Sequence, residues 1–249
     1  LLNPLNFSIN ISAENPKILL EDKSLDLSNI TSNISLKSFI NNQFSIDDLK
    51  ISTKEIQIKD LISLIRKVKG SPQLFILDNI TKEGLIYANI DIMFDLNGEI
   101  KSNYQINGGI KKAKFDIFNQ AEIENLNLSF DISKNQLTLR KVETKINNIK
   151  LKSSLIKVEE KKNQFFIEGE VTSSQKNFDI NKLKPILGDF LSAIEVEKID
   201  FNFINTFSFN VNKKLKLNDL KLKTDLNLKN FKIVKNPLNL KTFLPNYTE

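Results

Sequence analysis

The stretch Leu126-Asn127-Leu128-Ser129-Phe130-Asp131-Ile132-Ser133 decides the fold of this chain. Apolar and polar residues alternate in it, and successive side chains of a strand point to opposite faces. The stretch therefore predicts a strand with one apolar and one polar face. The same alternation runs through most of the 249 residues. We therefore expect a mostly β protein with a long, one-sided apolar surface.

One hairpin can be placed from its turn residues. The sequence 95–99, Asp-Leu-Asn-Gly-Glu, predicts a three-residue loop with Gly98 in the left-handed conformation. The register that follows puts apolar residues of both strands on one face. The predicted pairs are Phe94 with Ile100, Ile90 with Tyr104 and Ala88 with Ile106.

Further turns and helices follow from local signals. A second hairpin, with Lys134 and Asn135 at its tip, pairs Ile132 with Leu137 and Phe130 with Leu139, and Gly108-Gly109 predicts a turn or a bulge. Two short amphipathic helices interrupt the strands. The first is capped by Asp60, carries apolar residues at 61, 62, 64, 65 and 68, and stops at Gly70; the second runs from Asp179 to Leu191.

A loose internal repeat indicates that similar strand units follow one another. In each copy the alternation slips by one residue in the middle, which predicts a bulge or a corner. We interpret residues 1–249 as one continuous fragment of a longer protein, with approximate units 1–83, 84–195 and an incomplete 196–249. The copies are Phe44, Ile46, Leu49, Ile51; Leu137, Leu139, Val142, Thr144; and Leu215, Leu217, Leu220, Leu222.

Composition disfavours an enzyme. The chain has no His, Cys or Trp and one Met, so the residues for a Ser-His-Asp triad, a thiol nucleophile or a His/Cys metal site are missing. Adjacent carboxylates such as Asp47-Asp48 and Glu159-Glu160 face opposite ways on a strand and do not converge on one substrate. The sequence therefore predicts a non-enzymatic protein without catalytic, cofactor-binding or metal-binding residues.

The net charge of +6 comes almost entirely from lysines that alternate with apolar residues. This pattern is typical of a solvated sheet face and of charged edges that resist aggregation. Nucleic-acid binding would need a basic cluster with interleaved aromatics and more than two arginines. We therefore predict no nucleic-acid partner and no obligate oligomer.

Several stretches resemble the AsmA-like proteins, which belong to the bridge-like, repeating β-groove lipid-transfer group of Gram-negative envelopes. The resemblance covers nearly the whole chain and rests on strand texture, without a catalytic signature. The stretches are Asn15-Pro16-Lys17-Ile18-Leu19-Leu20, Phe44-Ser45-Ile46-Asp47-Asp48-Leu49, Asp60-Leu61-Ile62-Ser63-Leu64-Ile65, Ser71-Pro72-Gln73-Leu74-Phe75-Ile76-Leu77 and Gln164-Phe165-Phe166-Ile167-Glu168-Gly169.

The resemblance implies an elongated, curved antiparallel sheet, open as a β-groove, with two short amphipathic helices. It implies a periplasmic segment, anchored in the full-length protein by an inner-membrane helix, that shelters phospholipid acyl chains moving between the inner and outer membranes. Membrane contacts would lie in regions outside this segment. The side chains expected to touch lipid are Phe94, Ile100, Tyr104, Phe115, Phe130, Leu139, Phe166, Phe201 and Phe203.

The size of the apolar surface favours a groove independently of the family. Roughly fifteen strands about 4.8 Å apart would make a sheet on the order of 70 Å long, more than two short helices can cover. The alternative is a closed β-sandwich or β-solenoid scaffold without lipid, in which the same phenylalanines form the core. Zero Trp and three Tyr disfavour an outer-membrane barrel, which needs aromatic girdles.

Overall fold

The computed structural model describes residues 2–3, 7–20, 23–68, 70–117, 121–162, 164–183, 198–212, 214 and 216–229. Within these ranges the chain forms 14 strands, three α-helices and one 3-10 helix. The strands form a single open antiparallel sheet whose order follows the chain, and β3 and β6 pair on the flanks of this path. The expectation of a mostly β, open antiparallel sheet is confirmed.

The elements have the following bounds. The strands are β1 (Leu2–Asn3), β2 (Ser8–Glu14), β3 (Lys17–Leu20), β4 (Lys23–Ser35), β5 (Ile46–Thr53), β6 (Ile56–Gln57), β7 (Thr81–Met93), β8 (Gln105–Ile117), β9 (Ala121–Ser133), β10 (Gln136–Ile146), β11 (Ile149–Lys161), β12 (Gln164–Asp179), β13 (Lys198–Asn212) and β14 (Leu217–Lys229). The helices are α1 (Leu36–Ile40), α2 (Ile58–Val68), α3 (Pro72–Ile80) and the 3-10 helix Ile180–Leu183.

The strand register gives the sheet two chemically different faces. Directly paired residues of an antiparallel ladder lie on the same face, so the pairs can be followed from strand to strand. One such row runs from β8 to β14 and defines what we call the apolar face. The residues next to each member along its own strand point to the opposite side and define the polar face. The row is Gly108, Phe130, Leu139, Ile156, Gly169, Phe207 and Leu222.

Bulges keep apolar residues on the apolar face where the sequence alternation slips. The ladder shifts at Asp47, at Lys141 (φ 51°) and at Asp219 (φ 53°), the three slips that the repeat predicts. A further bulge residue, Lys112, donates its backbone N–H to Asn127 Oδ1 at 3.0 Å. Because a bulge bends its strand and increases the twist, bulges in β8, β9 and β10 bend the sheet.

Three glycines in strand interiors are covered by aromatic rings of their direct partners. Gly108 lies beneath Phe130 and Gly169 beneath Phe207 on the apolar face. On the other face, Gly109 lies beneath Tyr87. The prediction of a turn or bulge at Gly108-Gly109 is wrong, because both residues continue β8 and the missing side chains make room for rings from neighbouring strands.

Both hairpin turns are confirmed, but the register of the first hairpin is wrong. Gly98 has φ 83°, Asp95 N–H donates to Glu99 O at 2.9 Å, and Phe94 pairs with Ile100. Residues 101–104 then form an additional connection before β8 begins. This connection moves the register by two residues, so the apolar side chains keep their face. The observed pairs are Ile90 with Ile106 and Ala88 with Gly108, whereas Ile132 with Leu137 and Phe130 with Leu139 are as predicted.

The helices differ from the prediction in number and limits. The first predicted helix corresponds to α2, which begins at Ile58, two residues before Asp60, because Ile58 is buried against the sheet. Only the start of the second is described, as the 3-10 helix Ile180–Leu183, and its remainder lies outside the described residues. Two helices, α1 and α3, were not predicted; Ser35 and Ser71 cap them by accepting from Ser38 N–H and Leu74 N–H.

Two alanine substitutions in α2 test how this helix packs on the sheet. Ile62 is only 3% exposed and packs with Ile58 and Ala113, whereas Ile65 on the same helix is 38% exposed. We expect Ile62→Ala to lower the free energy of unfolding by about 2–4 kcal/mol through lost burial and a cavity. The matched control Ile65→Ala is expected to cost less than about 1 kcal/mol. If urea denaturation showed equal losses of the free energy of unfolding for the two variants, this assignment of the buried side of α2 would be contradicted.

Candidate functional site: the apolar face

The apolar face gathers seven of the nine side chains that the sequence predicted to touch lipid. Strand pairing places each of them on the apolar face, either in continuous register or on the far side of a bulge. They extend from the β7–β8 hairpin to β13. The seven are Phe94, Ile100, Phe115, Phe130, Leu139, Phe201 and Phe203.

The other two predicted residues are placed differently. Phe166 lies on the polar face, where Lys161 Nζ sits 4.6 Å from its ring centroid. Its neighbours Phe165 and Ile167 take the apolar face, pairing with Val211 and Phe209. The prediction for Phe166 is wrong because three successive apolar residues leave the alternation ambiguous. Tyr104 is half-buried in the connection before β8, outside the ladder.

Only parts of the apolar face are covered by other elements. Helix α2 covers one end of strands β7, β8 and β9. Its residues Ile58 and Ile62 pack on Ala113, together with Phe115 and Leu126. The 3-10 helix covers one end of β12 and β13 through Ile180. In the described ranges no second sheet packs on this face, and the main strand contacts are between neighbours in the sheet. Among the residues described, nothing covers the middle of the face.

Edge strand β14 carries the most exposed row of this face. Leu222 is 61% exposed and Leu226 is 56% exposed, and they pair with Phe207 and Phe203 of β13. The residues that alternate with this row, among them Lys223 and Asp225, lie on the polar face. The nine side chains predicted to touch lipid did not include this row, although the Leu/Lys alternation of residues 217–229 is the signal that identifies it. The row is Leu217, Leu220, Leu222, Leu226 and Leu228.

Hydroxyl groups on the apolar face bond to the protein itself. Ser173 Oγ donates to Lys150 O at 2.7 Å, Ser32 Oγ to Asp48 O at 2.9 Å, and Thr144 Oγ1 to Glu124 O at 3.0 Å. On the exposed part, Asn205 Nδ2 donates to Thr224 Oγ1 at 2.9 Å. Because these donors are satisfied, they do not require water or a polar ligand, and the face remains suited to apolar contact.

The polar face carries charged pairs at the water surface. The hydrogen bond and charge of Glu55 raise the pKa of Lys111, and those of Glu122 raise the pKa of Lys114. On β11, the hydrogen bond and charge of Lys161 lower the pKa of Glu159. Solvent-exposed pairs of this kind contribute little to stability.

Two concavities of the described surface lie over β11–β14, mainly on the polar side. Their volumes are about 490 and 550 Å³, and charged side chains such as Lys157, Glu168 and Lys223 line the first of them together with Phe207 and Leu222 of the apolar row. Among the described residues, no group of three or more carboxylates is placed to hold a metal ion. No helix of the described part is long and apolar enough to cross a membrane.

A comparison of the chain with protein-family models found no match, and searches of curated proteins and of solved structures found none either.

Proposed function

We propose that this chain is a non-enzymatic segment of an AsmA-like envelope protein that shelters phospholipid acyl chains on its apolar face. One observation carries the proposal: in the part of the chain that the structure describes, the apolar face continues across the sheet, and short helices, among them α2 and the 3-10 helix, cover only parts of it. In the proposed setting the segment lies in the periplasm, and the full-length protein is anchored in the inner membrane.

The dimensions of the face support a lipid ligand. Twelve strands follow one another along the sheet, which at about 4.8 Å between strands gives a length of about 50 Å. An acyl chain that fills half of a bilayer's hydrocarbon core is about 15 Å long, so the face has room for several chains end to end. Apolar surfaces larger than a few hundred Å² are rarely left open to water.

The energetics also favour acyl chains over polar ligands. Each methylene transferred from water to an apolar surface contributes about 0.8 kcal/mol, so a partly covered chain gains several kcal/mol. The contacts are non-directional, and the satisfied hydroxyls of the face add no specificity. The proposal therefore predicts binding that depends on acyl chains and tolerates different head groups.

Photocrosslinking in cells tests the proposal with two adjacent residues of β14. A photoreactive amino acid at Leu222 faces the apolar side, whereas the same group at Lys223 faces the polar side. We expect phospholipid to be captured at position 222 and at least about ten-fold less at position 223, since roughly 1.4 kcal/mol of preference already gives that ratio. Mass spectrometry of the crosslinked protein measures the yield.

Two results would contradict the proposal. Equal capture at both positions would indicate contact with bulk membrane and no sheltered lipid. Crosslinks from position 222 only to protein, with none to lipid, would favour the alternative function of a structural scaffold without lipid.

A further inference from the structure

A set of large apolar side chains is exposed at one end of the strands, outside the ladder. Phe39 and Ile40 at the end of α1 are 67% and 73% exposed. Further exposed side chains at the same end of the strands come from the residue before β2, the loop before β5 and the β7–β8 connection. We name this set the apolar rim: Phe7, Phe39, Ile40, Phe44, Leu96 and Ile100.

Backbone hydrogen bonds and one ring contact fix the segments that carry the apolar rim. Leu36 N–H, at the start of α1, donates to Phe7 O at 2.8 Å, and Phe44 N–H donates to Leu96 O at 3.2 Å. The ring of Phe44 lies 5.4 Å from that of Phe94, which pairs with Ile100. The rim is therefore built on packed elements, and through Phe94 it is continuous with the apolar face.

The same end of the sheet is basic farther along. The turns of the β9–β10, β11–β12 and β13–β14 hairpins leave on this side, and exposed lysines lie in or beside them. Lys161 is paired with Glu159 at 2.8 Å and belongs to the polar face. The remaining lysines, which we name the lysine turns, are Lys134, Lys162, Lys214 and Lys216.

We propose that this end of the sheet docks on an anionic lipid bilayer. The apolar rim inserts Phe39, Ile40 and Leu96 among the acyl chains, while the lysine turns lie at the head groups. Amphipathic surfaces with exposed aromatic and aliphatic residues beside lysines bind at bilayer interfaces in this way. The charge of the lysine turns complements anionic lipid, and this selects a bilayer over a neutral apolar partner.

This docking surface goes beyond acyl-chain shelter and can fail separately from it. The apolar face could hold lipid received elsewhere, and the rim could bind a bilayer without passing lipid to the face. The continuity through Phe94 gives the two surfaces a direct apolar connection. Lipid capture at Leu222 reports on the face, and the experiment below reports on the rim.

The absence of Trp from the sequence allows a single reporter to be placed at the rim. We would compare Phe39→Trp with Phe75→Trp, whose site on α3 at the other end of the strands is 55% exposed and contacts Arg66. The probes are vesicles of phosphatidylcholine with about one-quarter phosphatidylglycerol, with and without brominated acyl chains. We expect Phe39→Trp to shift to shorter emission wavelength and to be quenched by bromine, and Phe75→Trp to change in neither respect.

Two further variants separate the apolar and charged contributions. Phe39→Ser with Ile40→Ser removes the exposed apolar pair and is expected to abolish vesicle co-flotation while the circular dichroism spectrum stays unchanged. Lys134→Gln with Lys162→Gln is expected to weaken binding to anionic vesicles about five-fold per lysine and to leave lipid capture at Leu222 intact.

Several outcomes would overturn the docking proposal. A Phe39→Trp reporter that is not quenched under conditions of full protein recovery would exclude insertion of the rim, and so would equal quenching of both reporters. A reporter already shielded without vesicles, together with a dimer in sedimentation, would assign the rim to a second copy of this chain. Retained co-flotation of the Phe39→Ser, Ile40→Ser variant would equally exclude insertion by α1.

Discussion

Replacing Gly108 with valine is expected to produce the largest loss of stability, more than about 3 kcal/mol of the free energy of unfolding. A Cβ atom at Gly108 would lie 2.1 Å from Tyr87 O and 2.8 Å from Phe130 Cζ. The first contact is with backbone, which cannot rotate away, so β7 and β8 must separate. The ring of Phe130 must also leave its place over the glycine.

Gly70 provides the matched control for this substitution. A Cβ atom there would meet no other atom within 4 Å, so Gly70→Ala is expected to change stability by less than about 1 kcal/mol. Urea denaturation followed by circular dichroism compares Gly108→Ala, Gly108→Val and Gly70→Ala. A stable Gly108→Val variant would mean that the two strands do not approach as closely as the structure places them.

Charging the exposed row of β14 is expected to have the largest effect on lipid. With Leu222→Asp and Leu226→Asp in place, a photoreactive group at Phe207 should capture at least about 100-fold less phospholipid, since each leucine contact contributes about 1.5–3 kcal/mol and each carboxylate resists desolvation. Both leucines are more than half exposed, so the fold should remain intact. Circular dichroism and the crosslinking yield measure the two properties.

The control for this double variant lies on the same strand. Lys221→Asp with Lys223→Asp places two carboxylates on the polar face at neighbouring positions and is expected to leave capture at Phe207 within about two-fold of its original value. If the polar-face variant lowers capture as strongly as the apolar-face variant, the effect comes from net charge. Acyl-chain contact with the leucine row would then be excluded as its cause.

The features that the sequence predicted correctly are local ones. The Gly98 turn and the Lys134-Asn135 turn need only a few neighbouring residues to define them. The slips in alternation at Lys141 and Asp219 show directly in the spacing of apolar residues. Their bulges could therefore be predicted without knowledge of the neighbouring strands.

The features that the sequence did not predict depend on partners far away in the chain. Gly108-Gly109 has the composition of a turn, and only the rings of Phe130 and Tyr87 on adjacent strands explain its place inside β8. Phe166 lies between two apolar residues, and the pairing of Ile167 with Phe209 decides which way it points. The start of α2 is likewise set by the burial of Ile58 on the sheet.

The sequence by itself determined the chemistry of this protein: alternating apolar and polar residues, lysine-rich exposed positions, and no His or Cys for catalysis or metal binding. These properties follow from the order and type of residues, because strand geometry converts a period of two into two faces. The tertiary structure decided that the apolar face is open within the described residues, that Leu222 and Leu226 form its exposed edge, and that Phe39 and Leu96 lie at the same end of the strands. Those arrangements depend on strand pairing and on the packing of connections, and no local pattern specifies which distant segments will meet.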